Sequence, residues 1–264
     1  MKQEKNISRP KKVIRREGIG ALRLSVIIPT KNEEKLLARC LQEITPELKK
    51  EYTIELIVSD GGSSDATIGI AAAFADKIAV HEEKDGKQTI AEGRNRGAAL
   101  ATGDVLVFLN ADSFIHKPKE FFERVRRRFL LDPSLLALAV KVEVDPAERK
   151  FSDVLFHGFF NFYVRIINRL GVGLGRGECQ IVRRKAFTAL KGYDASLPAG
   201  EDFEFYKRLK SYGKVRFDGK LLVYESPRRY RKYGYIRVYK DWTANALSVL
   251  FTNHAACEEW EEVR

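Results

Sequence analysis

The stretch VLVFLNADSF, residues 105–114, is apolar from Val105 to Leu109 and turns polar at Asn110, Asp112 and Ser113. A short apolar run bounded by turn residues reads as a strand buried on both faces, and such strands belong to parallel sheets covered by helices. The polar corner itself has two readings. It is an ordinary turn, or it is a carboxylate at the carboxyl end of a strand, where open α/β sheets hold their ligands.

The flanking chain repeats the same rhythm. Between 23 and 110 the runs LSVIIP, IELIVS, KIAVHEE and VLVFLN alternate with the helix-period segments EEKLLARCLQEI, DATIGIAAAFA and TIAEGRNRGAALA. That alternation predicts βαβ units and a mainly parallel, Rossmann-like α/β sheet with helices on both faces. After Asp112 a helix over PKEFFERVRRRFLL leads to a strand LLALAVKVEV and an amphipathic stretch FSDVLFHGFFNFYVRIINRL, which runs into GVGLGRGECQIVRR. A helix in GEDFEFYKRLKSYG, a strand KVRFDGKLLVYES and a basic, aromatic C-terminal helix complete a mixed extension of the sheet. The expected boundaries are a disordered basic lead-in over 1–22, one domain over 23–225 with halves at 23–113 and 114–225, and a helical extension over 226–264.

The 264 residues are 44% hydrophobic and 31% charged, the balance of a soluble globular protein. Lys and Arg number 47 against 36 Asp and Glu, so the net charge of +11 attracts anions such as nucleotides, phospholipid headgroups or nucleic acid. The basic residues gather in RPKKVIRR near the start and PRRYRKYGYIRVYK at 227–240. Cys40, Cys179 and Cys257 have neither CxxC nor His-partner spacing, which argues against a disulfide framework and a structural zinc. The N-terminus lacks the apolar core of a signal peptide, and no window reaches the about 18 uncharged apolar residues of a membrane span. The expected location is the cytoplasm.

Four corners follow apolar runs directly: PTKNEE, SDGGSSDAT, HEEKDGKQ and NADS. In SDGGSSDAT, turn and capping chemistry accounts for Gly61, Gly62, Ser63 and Asp65. Asp60 is left over to accept from a base N–H or a ribose hydroxyl. Arg94 in GRNRG, or Lys87 in the loop before it, either meets a diphosphate or stays a solvated charge. In NADS, Asp112 can hold a divalent ion that bridges a diphosphate, with Asn110 as a weaker, neutral neighbour. The run GVGLGRG at 171–177 follows a helix rather than the first strand, which disfavours a dinucleotide fingerprint and predicts a flexible loop near an acceptor. GEDFEF at 200–205 opens a helix on two acids, which either compensate the helix dipole or supply a general base from Glu201 or Asp202. Sequence alone does not choose between these two.

Taken in order, VIIPTKNEE, IVSDGGSSDAT, GRNRGAALATGDVLVFLNADS and GEDFEFYKRL resemble the family-two glycosyltransferases of the GT-A fold, across roughly residues 24 to 225. The resemblance implies an inverting transfer from a nucleotide-diphosphate sugar to an acceptor hydroxyl of a glycan or lipid-linked molecule. It implies that Pro29, Glu33 and Asp60 line the nucleoside pocket, that Arg94 approaches the nucleotide and that Asn110 stands near the ribose. It further implies Asp112 as ligand of a Mg²⁺ or Mn²⁺ ion and Asp202 as the catalytic base. Where the family has an acid-any-acid corner, this chain has Asn110-Ala111-Asp112, and its tail lacks long membrane spans.

Two rival classes fit the residues less well. A nucleotidyltransferase needs a Gly- and Lys-rich triphosphate loop after the first strand, and PTKNEE has no glycine. A basic nucleic-acid-binding protein fits the net charge but not Asp60, Asp112 and Asp202 around one pocket, because acids repel phosphate. The tail aromatics Tyr230, Tyr233, Tyr235, Tyr239 and Trp242 lie among basic residues, and FHGFFNFYVRIINRL adds apolar area. Either these rings meet an anionic membrane at the inner face, or they pack the C-terminal helix on the domain.

Overall fold

The computed structural model describes residues 22–82, 88–252 and 263; the expected lead-in over 1–22, Lys87 and Cys257 fall wholly or almost wholly outside them. One sheet contains β1 (Leu24–Thr30), β2 (Ile54–Asp60), β3 (Lys77–Val80), β4 (Val105–Leu109), β5 (Ser113–Ile115), β6 (Leu135–Val144), β7 (Cys179–Arg183) and β8 (Lys214–Glu225), in the order β3-β2-β1-β4-β7-β6-β8-β5. The block β3-β2-β1-β4 is parallel, and so is the pair β6-β8. β7 runs antiparallel between β4 and β6, and β5 runs antiparallel on β8. The helices are α1 (Leu37–Gln42), α2 (Pro46–Tyr52), α3 (Thr67–Ala72), α4 (Ile90–Ala99), α5 (Pro118–Leu131), α6 (Phe151–Arg169), α7 (Arg184–Ala189), α8 (Glu201–Tyr212), α9 (Arg228–Tyr233) and α10 (Tyr235–Thr252).

The opening stretch behaves as a strand buried on both faces. Val105, Val107 and Leu109 pack into the layer shared with α1, α2, α3 and α5, while Leu106 and Phe108 enter the opposite layer with α4, α7 and α8. Successive side chains of a strand alternate between faces, so an unbroken apolar run is what two covered faces require.

Three features depart from the sequence expectations or lie beyond them. β5 is only three residues long, too short for any periodicity, yet it pairs Ser113 with Glu225 and brings the residues after β8 to the NADS corner. α2 forms over a stretch to which the sequence pattern assigns no element, with Thr45 accepting from Leu48 N at its start and Pro46 in its first turn. The run GVGLGRG does reach the cavity described below, but from Gly173 to Arg176 it is buried and packed rather than a flexible loop. Asn168 holds it through both the N–H and the carbonyl of Leu174, and a Cβ on Gly175 would stand 2.7 Å from the Tyr206 ring.

Candidate active site

A cavity of about 710 Å³ opens beyond the carboxyl ends of β1 and β4. Its lining includes Pro29, Glu33, Asn110, Asp112, the turn Gly175–Glu178, the start of α8 and Arg228. β7 enters the sheet antiparallel, so its first residues stand at the carboxyl end of β4, where Asn110 N donates to Glu178 O at 3.0 Å. The sheet's change of direction thus places the Gly175–Glu178 turn opposite the NADS corner.

The two acids that open α8 have different surroundings. Glu201 is 5% exposed and accepts from Arg94 Nη1 at 2.5 Å. Arg94 is itself buried, with Nη2 donating to Asn110 Oδ1 at 3.1 Å and to Gly177 O at 2.8 Å. Its guanidinium thus ties α4, the end of β4, the Gly177 turn and α8 together. Asp202 lines the same cavity beside the Gly177 turn. Its Oδ1 accepts from Phe203 N at 2.8 Å, while a Cβ built on Gly177 would stand 3.2 Å from Oδ2. Burial and the neighbouring Glu201 charge raise the Asp202 pKa to about 7, against the opposing pull of Arg94.

At the NADS corner Asp112 meets a cation supplied by the chain. Arg228 Nη2 lies 2.9 Å from Asp112 Oδ2, and the same guanidinium binds Glu33 through both of its oxygens at 2.9 and 2.6 Å. Burial raises the Asp112 pKa while Arg228 pulls it down. Among the described residues no cluster of three or more His, Cys, Asp or Glu side chains could hold a metal. Asn110 Oδ1 is occupied by Arg94. A divalent ion here would therefore take one protein carboxylate, Asp112, and fill its remaining positions from a diphosphate and water, the pattern usual for Mg²⁺ at phosphate sites. That donor set fits, and Arg228 already shows that the corner accepts positive charge.

The expected nucleoside residues separate in depth. Pro29 lines the cavity wall. Asp60 lies beneath it, 0% exposed, where it accepts from Gly62 N, Ser63 N, Ser63 Oγ and Thr30 Oγ1 at 2.6–3.0 Å. The carboxylate shapes the turn, and Gly61 rather than Asp60 reaches the cavity surface.

The sequence model of the glycosyl transferase family 2 matches residues 25–190. The chain is a family 2 glycosyl transferase. A PGL/p-HBAD biosynthesis glycosyltransferase of Mycobacterium bovis is 37% identical over 103 residues, which cover 38% of this chain and 39% of that protein. Validoxylamine A glucosyltransferase of Streptomyces hygroscopicus is 35% identical over 89 residues, covering 33% of this chain and 20% of that one. The matched stretch therefore spans two-fifths or less of these relatives' lengths. Among solved structures, a mannosyltransferase from Pyrobaculum calidifontis in complex with GDP-Man and Mn²⁺ superposes with a TM-score of 0.64 at 21% identity, over 85% of this chain and 61% of that one. Glucosyl-3-phosphoglycerate synthase from Mycobacterium tuberculosis, in complex with Mn²⁺ and UDP, gives 0.57 at 17% identity, over 91% and 81%. These likenesses establish the GT-A type fold.

Two parts of the cavity carry no motif in the sequence. Arg228 belongs to the basic C-terminal stretch, yet it stands at the NADS corner beside Asp112. Its signal was positional: YESPRR follows a strand end as directly as NADS does. The second part is the buried group around Arg176, whose Nη2 contacts Glu178 Oε1 at 2.5 Å and Glu225 Oε1 at 3.1 Å. Tyr230 donates to Glu225 at 2.8 Å, and burial beside Arg176 pushes the His157 pKa down to about 3, so that ring is neutral. Arg176 holds Glu178 ionised, while burial and the Glu178 charge push Glu225 well up.

Proposed function

We propose that the protein transfers a sugar from a nucleoside-diphosphate donor to an acceptor hydroxyl with inversion at the anomeric carbon. The division of labour between the two acids at the start of α8 carries this reading. Glu201 is taken up by Arg94, and Asp202 lines the cavity with a pKa near the operating range of a general base. Asp202 takes the acceptor hydroxyl proton as that oxygen attacks the anomeric carbon. The bond to the diphosphate breaks with its electron pair leaving on the nucleoside diphosphate.

Charge builds on that leaving group, and stabilising it is a large part of catalysis in such transfers. A Mg²⁺ or Mn²⁺ ion held by Asp112, when bound, would supply that stabilisation. Arg228 must then give up its Asp112 contact while keeping Glu33, which its bidentate geometry allows. Pro29 and the Gly61 turn supported by Asp60 form the wall for the base and ribose. In calorimetry with UDP and GDP, Mg²⁺ should tighten binding to the wild-type protein, and Asp112→Asn should remove that gain. One charge-assisted contact is worth about 1.5–3 kcal/mol, or roughly 10–100-fold in affinity. Equal affinity with Mg²⁺ and with chelator would assign the leaving-group charge to Arg228 and its neighbours.

The Asp202 pKa also sets two pH dependences of opposite sign. Turnover should rise with pH along a limb near 7, because only the carboxylate form accepts a proton. Stability runs the other way. The folded state holds this proton more tightly than the unfolded chain, whose aspartates titrate near ~3.9. The Asp202 contribution is therefore fully present below that value and is lost as pH rises to about 7. Thermal melts should show Asp202→Asn gaining on wild type at pH 8 relative to pH 4, and a constant difference would remove the assigned pKa.

A further inference from the structure

The helix α6 is inside out. Its inward positions are Asp153, His157, Asn161, Val164 and Asn168, four of them polar and all buried. Its outward stripe includes Phe151, Leu155, Phe159, Phe162 and Leu170 just beyond its end, with Phe151 and Leu170 exposed to 76% and 73%. Rotation cannot correct this, because each inward polar group is fixed. Asp153 binds Arg231 and Tyr235, Asn161 pairs with both the N–H and the carbonyl of Val142, and Asn168 holds Leu174. A helix in water normally shows its polar face to solvent. Here water meets the phenyl rings, and the polar face holds the fold together.

The stripe continues onto α10, where Tyr239 packs 6.3 Å from Phe159 and Ile236, one turn earlier, is 75% exposed. Of the tail rings, for which the sequence leaves both membrane contact and packing on the domain open, three pack on the domain. Tyr230 is buried, Tyr235 stacks on it at 5.4 Å, and Trp242 packs on Phe156 and Phe160. Among the described residues the charge around the stripe is one-sided. Arg165, Arg169, Arg237 and Lys240 are exposed around it, Asp241 is the exposed acid on α10, and the sole acid of α6, Asp153, is turned inward. A second copy docked face to face would oppose these cations with cations. Exposed apolar residues with a basic border are instead complementary to a lipid surface bearing negative headgroups.

We infer that the outward face of α6 and the adjoining turns of α10 dock on an anionic phospholipid bilayer. Phe159, Tyr163 and Tyr239 belong both to this face and to the cavity wall, so the cavity opens at the docked surface. Resting on the transferase reading above, this makes the acceptor a hydroxyl carried on a lipid. Sedimentation with phosphatidylglycerol-containing vesicles tests the docking, with phosphatidylcholine vesicles as control. Wild-type protein should pellet with the anionic vesicles and be released by salt. The variant L155S/F162S changes two exposed residues outside the cavity. It should lose vesicle affinity by at least about tenfold while keeping its melting temperature and its calorimetric affinity for nucleoside diphosphates. Wild type staying in the supernatant at low salt, or a variant that pellets equally, overturns the proposal. So does a wild-type dimer in analytical ultracentrifugation that the variant dissociates without any vesicle binding, which would assign the face to a second copy. Vesicle binding without nucleotide binding would instead leave the docking standing and remove the transferase reading.

Discussion

Asp202→Asn should fold as wild type, bind nucleoside diphosphate with unchanged affinity and turn over roughly 10²–10⁴-fold more slowly, the usual loss for a positioned general base. The amide keeps the shape of the side chain and can still accept from Phe203 N, as Oδ1 does at 2.8 Å. What it loses is the capacity to take a proton. Glu201→Gln is the matched control, because the Glu201 carboxylate is paired with Arg94. It should lower stability more than turnover. Comparable kcat losses in the two variants, at equal folded fractions, would contradict the division of roles at the start of α8.

Arg94→Met should produce the largest stability loss of any single change at the site, about 3–5 kcal/mol, because it leaves a buried carboxylate without its counter-ion. Glu201 is 5% exposed and loses its ion-pair partner, while Asn110 Oδ1 and Gly177 O lose their shared donor. The double variant R94M/E201L should recover much of this, since removing both charges leaves neither unpaired. Urea unfolding of the two variants distinguishes the cases. Equal midpoints for single and double variants would show that Arg94 acts through packing on the Tyr193 ring, 5.3 Å away, rather than through charge.

Much of the fold was legible because the strands are long enough to show their pattern. Five apolar residues in β4 and seven residues in each of β1 and β2 declare a sheet covered on both sides. β5, with three residues, cannot show a period, and it was missed together with its consequence, the delivery of Arg228 to Asp112. The carboxylates of the site were visible as residue types at strand and helix ends. Their depths were not, because depth is set by pairing. Asp60 sinks below the wall through hydrogen bonds from its own turn and from Thr30 on the neighbouring strand. Glu201 and Asp202 are adjacent in sequence, and only the position of Arg94, more than a hundred residues earlier, decides which of them is ion-paired. The inverted amphipathicity of α6 was also hidden. Its periodicity marks one apolar face, and nothing in a single sequence says whether that face meets the core or the outside.

The most direct measurement is ¹H NMR of the sugar released when the protein and Mg²⁺ are incubated with a panel of α-linked nucleotide sugars and water serves as the acceptor. The expected result is slow release from at least one donor of the β-anomer, seen before mutarotation and abolished by Asp202→Asn. Release of the α-anomer first, or no consumption of any nucleotide sugar, would contradict single displacement with Asp202 as its base.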